Sequence, residues 1–189
     1  LNSANAADDA SYDHLTPTVI TLASSVDDQH VTYQFIASLD AATASNMYTI
    51  FGTDASPMSW PAAYQCATPF GANTGGTNEA FWAIANNAAI GFAEFDSWLS
   101  VGITGGDAAG ALSTIGLDFD LWNEQTPLET HDGAVFWMSP DDGPAAGTDA
   151  VLAQITVAEG SSGTASMGMQ GRSSTGTDWQ SDNIQFSFP

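Results

Sequence analysis

The 189-residue chain sets 22 carboxylates against one arginine and no lysine, for a formal net charge of −21. So few cations cannot neutralise phosphates, which excludes nucleic acids and anionic membranes as partners and leaves nucleotide chemistry without its usual clamps. Six Trp and ten Phe in a composition 43% hydrophobic separate it from disordered acidic chains, so one folded core is expected.

Residues 1–17 are small and polar and read as an extended arm or linker, followed by a single domain over 18–189. The chain begins at Leu1 rather than Met, which fits a mature form without its signal peptide or a piece of a larger precursor. Thr18 to Ala23 predicts a first strand. Val31 to Leu39 alternates with period two, placing Val31, Tyr33, Phe35, Ala37 and Leu39 on one face of a half-buried strand. Asn46 to Gly52 is expected to be its partner. From Thr53 to Ala93 the pattern weakens around Pro57, Pro61, Pro69 and a Gly-rich run, giving a long irregular stretch that is functional or packed around aromatics. Further strands are expected over Phe95–Ile103, Ser113–Phe119, Ala134–Met138, Val151–Val157 and Ile184–Phe188, with a weaker one over Gly163–Gln170. About ten short strands punctuated by turns predict an all-β sandwich of jelly-roll or cohesin-like type with long irregular loops. No apolar run reaches the ~18 residues of a membrane span.

Asp is far commoner than Glu, as suits turns, and Asp is also a calcium ligand. The candidates for calcium are Asp118 and Asp120, read as sharing one side of a strand, Asp132 in the next turn, and Asp141, Asp142 and Asp149 around two glycines. The alternative is ordinary turn chemistry. Paired carboxylates for glycoside hydrolysis would come from Glu94, Asp96, Glu124 and Glu129. His14, His30 and His131 are too scattered for zinc, and no Gly-x-Ser-x-Gly elbow accompanies them. The single Cys66 has no cationic neighbour in sequence and reads as a small buried hydrophobe. Trp98 and Trp137 lie in strands and read as core. Trp60, Trp82, Trp122 and Trp179 lie nearer loops and are the candidates for stacking on sugar rings.

Phe95-Asp-Ser-Trp-Leu-Ser-Val-Gly-Ile103, Ile115-Gly-Leu-Asp-Phe119 and Asp132-Gly-Ala-Val-Phe-Trp137, with Gln170-Gly-Arg172 and Asp178-Trp-Gln180, resemble a family of uncharacterised secreted domains. Such domains occur in extracellular proteins of planctomycetes and other marine microbes, often beside surface-sorting tails or dockerin-like modules. The resemblance covers the last half of the chain well and the first half loosely. It implies secretion and a surface or matrix setting, and it assigns no catalytic residue. The Val151–Val157 strand and its Gly-rich sequel are also similar to cohesin-like sandwiches, which implies fold alone.

The expected protein is therefore a non-catalytic extracellular structural or adhesive module of a surface layer, matrix or filament. Its partners would be copies of itself or other matrix proteins. The last strand, with Ile184, Phe186 and Phe188 on one face and no charge to blunt its edge, is the candidate for self-association, with the arm of another copy laid alongside. The alternative is a carbohydrate-binding module for a polysaccharide, and behind it a secreted glycosidase.

Overall fold

The computed structural model describes residues 12–22, 26–67, 69–87, 89 and 91–189. Eleven strands are present among them: β1 (Leu15–Thr21), β2 (His30–Leu39), β3 (Thr49–Phe51), β4 (Met58–Trp60), β5 (Trp98–Leu99), β6 (Leu112–Ile115), β7 (Leu128–Thr130), β8 (Ala134–Trp137), β9 (Asp149–Ala158), β10 (Gly163–Arg172) and β11 (Asp178–Phe188). Among the described residues helix is confined to the single turn α1 (Trp82–Ala85) and four 3₁₀ turns. The strands form two antiparallel sheets, one ordered β1-β2-β9-β5, the other β6-β8-β3-β10-β4-β7 with β11 paired to β10. The fold is an all-β sandwich.

Alternation explains the core. Tyr33, Phe35, Ala37 and Leu39 of β2 point inward and are buried, facing Ala165, Met167 and Met169 of β10 and Ile184, Phe186 and Phe188 of β11. Phe35 marks the centre. Its ring lies 5.4 Å from Trp60, 5.8 Å from Phe186 and 6.1 Å from Phe188, in tilted or edge-on geometry. Such aromatic pairs add about 0.5–1.5 kcal/mol to the area they bury.

Several strands differ from their sequence expectation. Asn46–Gly52 does not pair with β2; its ordered part, β3, lies in the other sheet between β8 and β10. Phe95–Ile103 holds only the two-residue β5, because a 3₁₀ turn over Ala93–Phe95 precedes it and Gly102, at φ 89°, follows. The strand after Ser113 stops at Ile115, where Gly116 takes φ 65° against the backbone of Gly133. Asp118 and Asp120 therefore share no strand face; they belong to the 3₁₀ turn that follows. The weak pattern over Gly163–Gln170 belongs to β10, paired on both sides.

The first strand opens at Leu15, within the segment read as an arm. Residues 1–11 of that arm lie outside the described residues. Tyr12 and His14 lie against β11: the Tyr12 hydroxyl meets its backbone and the His14 ring stacks on Trp179 at 5.1 Å.

The excursion 61–97 packs on the outer face of the four-stranded sheet. That face is polar yet buried: Thr32 and Thr156 are fully covered and Gln154 nearly so. Their polar atoms are satisfied locally. Thr32 and Thr156 share a hydrogen bond at 2.8 Å, Thr156 Oγ1 donates to the Phe95 carbonyl, and Gln154 Nε2 donates to the carbonyls of Glu94 and Asp96. A second apolar cluster, Cys66, Ala85 and Ala93 with Tyr64 and Phe70 against it, holds the excursion together.

Candidate functional site

The chemically capable side chains are drawn into structural contacts. Asp96 is 1% exposed and accepts the backbone N–H groups of Cys66 at 2.7 Å and Ala72 at 2.6 Å, pinning the loop between them. Burial pushes its carboxyl up to about 7, against the lowering effect of these amides. Cys66 is 7% exposed, and burial, with Asp96 beside it, raises the thiol to about 11, the reverse of an activated nucleophile.

His30 sits between two carboxylates, with Nδ1 2.7 Å from Asp27 Oδ1 and Nε2 3.0 Å from Glu124 Oε1. Both nitrogens can donate at once only as the imidazolium. Burial pulls this pKa down, but the bonds to Glu124 and Asp27 outweigh it and the net shift is upward. Arg172, the single arginine in a chain without lysine, reaches Asp141 through Nε at 3.0 Å and Asp178 through its terminal nitrogen, and lies 5.6 Å from the Tyr48 ring centre. It ties β10 to β11 and to the loop that carries Asp141.

The carboxylates suggested for glycoside hydrolysis are engaged in different places. Glu94 accepts from Asn86 at 2.7 Å, Glu124 meets His30, Glu129 lies 3.2 Å from His131, and Asp96 is buried under its loop. The calcium candidates do not converge: no group of three or more His, Cys, Asp or Glu side chains that could hold a metal occurs among the described residues. Asp141 is taken by Arg172, and Asp149 accepts from Ser38 at 2.6 Å. Asp118, Asp120, Asp132 and Asp142 are exposed at turns.

Three of the four tryptophans expected to stack on sugars are core residues. Trp60, Trp122 and Trp179 are 0%, 2% and 4% exposed. Two of them spend their indole N–H on distant carbonyls, Trp122 on Pro61 and Trp179 on Asn46. A covered indole offers no platform. Trp82 alone of the four is partly exposed.

Trp82 lines a cleft of about 140 Å³ between the excursion and the sheet, with Gln34, Glu79, Glu94 and Gln154 as its polar walls. A second cleft of about 360 Å³ adjoins it, lined by Phe70, Asn78, Phe81 and Asp107. Thr77 and Gly105 line both. Phe81, one of the aromatics of the irregular stretch that the sequence leaves open between function and packing, is 52% exposed, so consecutive aromatic residues serve the two clefts. A Phe-Trp pair inside a Gly- and Asn-rich excursion was the available signal.

Ile184, Phe186 and Phe188 are spent on the internal core, at 5% exposure or less. Their side chains are not available to another copy; only the backbone edge of β11 is. That edge is bulged where Gly168 faces both Asp182 and Asn183, with Asn183 at φ 54°. The other notable edge is β6, the end of the seven-stranded sheet, where Ile115 is 63% exposed.

The fold and these sites define a β-sandwich module in which Asp96, His30 and Arg172 are held by local partners and sheet edges are open. Comparison of the chain with protein-family models, curated proteins and solved structures finds no match.

Proposed function

We propose that the protein is a non-catalytic extracellular module that acts by self-association, a building unit of a surface layer, matrix or filament. The observation that carries this reading is β6. Leu112-Ser-Thr-Ile115 ends the seven-stranded sheet, holds no charge and exposes Ile115 at 63%. Sheet edges are ordinarily blunted by charge, above all by lysine, because unpaired N–H and C=O groups template pairing with other chains. An uncharged edge with an outward isoleucine is suited to receive a strand from another copy. The engagement of Asp96, His30 and Arg172 in structural contacts agrees with binding rather than turnover. Secretion is part of the proposal and follows the resemblance to secreted domains.

Sedimentation velocity over a concentration series tests the reading. The native protein is expected to associate, while Thr114→Lys and Ile115→Lys remain monomeric. Both positions are exposed, so the added lysine leaves the fold intact. Identical behaviour of the three proteins would overturn the proposal.

A further inference from the structure

The paired clefts beside the 3₁₀ turn Glu79–Phe81 have a chemistry that strand pairing does not use. We infer that together they form a binding groove for a neutral oligosaccharide, with Trp82 and Phe81 serving adjacent sugar units.

Five observations carry this. The groove is concave and lies where an irregular excursion meets a rigid sheet, and ligand sites favour aromatic walls with a few fixed polar groups. Trp82 and Phe81 provide ring surface for the apolar face of a pyranose. The polar lining is amide, hydroxyl and carboxylate: Gln34 and Gln154 in the smaller cleft, Asn78 in the larger, and Thr77 in both. These groups match the mixed donor and acceptor character of sugar hydroxyls. Several are held from behind. Gln154 is fixed by its bonds to the carbonyls of Glu94 and Asp96, and Glu94 by Asn86, so the wall is ordered before a ligand arrives. The indole Nε1 of Trp82, on the ring that lines the smaller cleft, is buried without a hydrogen-bond partner.

Charge selects the sugar. Glu79 and Glu94 line one cleft and Asp107 the other, and neither lining includes a lysine or arginine. Uronic-acid and sulfated chains would meet repulsion there without a compensating cation. A neutral chain is accepted, its hydroxyls donating to the carboxylates.

Neutral hexaoses of glucose, xylose, mannose and N-acetylglucosamine serve as probes, with oligogalacturonate as the anionic control. Calorimetry and tryptophan fluorescence read binding. At least one neutral hexaose is expected to bind, oligogalacturonate is not, and Trp82→Ala is expected to weaken binding by about tenfold or more. Phe81→Ala, at an exposed position, repeats the test without touching the packed layer, and Ile84→Ala, 59% exposed on the neighbouring turn, serves as the neutral control. Absence of binding by every neutral hexaose, equal binding of the anionic chain, or full affinity in both aromatic variants would each overturn the inference. Sedimentation of the same samples keeps this result separate from self-association, because the groove variants leave β6 unaltered.

Discussion

The Tyr12 hydroxyl donates to the Asn183 carbonyl at 3.3 Å and accepts the Gln185 N–H at 3.1 Å, joining residues more than 170 positions apart. One phenol thus occupies two backbone groups on the outer edge of β11. Together with the bulge at Asn183 it covers part of the edge that the uncharged end of the chain leaves open. The residues just before β1 act on their own molecule here, which leaves β6 as the edge on which the proposed self-pairing rests.

Tyr12→Phe removes both bonds and keeps the ring. The loss expected is about 1 kcal/mol, seen as a melting temperature lower by roughly 2–4 °C. Sedimentation should also show stronger association through the uncovered edge. A variant with native melting and native association would show that the phenol is incidental.

Stability should fall as pH rises from mildly acidic values through neutrality. His30 has a folded pKa raised by Glu124 and Asp27 against the pull of burial, so its contribution is complete below the ordinary histidine value and is lost as pH climbs through the raised one. Asp96, pushed up to about 7 by burial from an ordinary 3.8, holds its proton more tightly folded than unfolded, so its contribution declines over that interval. Both slopes have the same sign. Asp27 acts oppositely, because its hydrogen bond to His30 lowers its pKa; its contribution is lost only as pH drops below the usual carboxylate range. Melting curves between about pH 5 and pH 8 check this, with Asp96→Asn flattening the lower part and His30→Gln the upper. A rise in melting temperature across that range would contradict the assignment.

Gly171→Ala should be among the most damaging single changes. A Cβ there would stand 2.0 Å from the Asn46 carbonyl oxygen and 2.7 Å from Trp179 Nε1. The Trp179 indole donates to that same carbonyl at 3.1 Å, so the methyl group would displace a hydrogen bond between β11 and the segment before β3. A loss of about 3 kcal/mol or more is expected by denaturant unfolding. Near-native stability would mean that the strands part easily at this crossing.

Ionic strength should stabilise the fold. A net charge of −21 repels itself across one small domain. Raising NaCl from about 0.01 M to about 1 M shortens the screening length from about 30 Å to about 3 Å, and the melting temperature is expected to rise. Calcium at matched ionic strength separates screening from a specific site, since screening alone gives no further rise. A further rise with calcium, reversed by a chelator, would establish a specific site and refute pure screening.

Much of the fold was legible in the chain itself, because strand alternation is a local property. The set Val31, Tyr33, Phe35, Ala37 and Leu39 and the set Ile184, Phe186 and Phe188 follow from period two alone, and all are buried except Val31, which is partly buried against the same core. The sandwich class followed from many short strands set between turns. The charge, and the partners it excludes, needed no structure. Only the tertiary structure decided which strands pair. β3 joins β8 and β10 rather than its neighbour β2, since pairing depends on which faces the whole sandwich must cover. It also decided which aromatics are hidden. Trp122 and Trp179 stand close to turns in sequence, yet carbonyls at Pro61 and Asn46 take their N–H groups and allow burial, while Phe81 and Trp82 remain at the groove. Exposure depends on long-range packing and on distant hydrogen-bond partners, and neither is encoded in the spacing of residues along the chain.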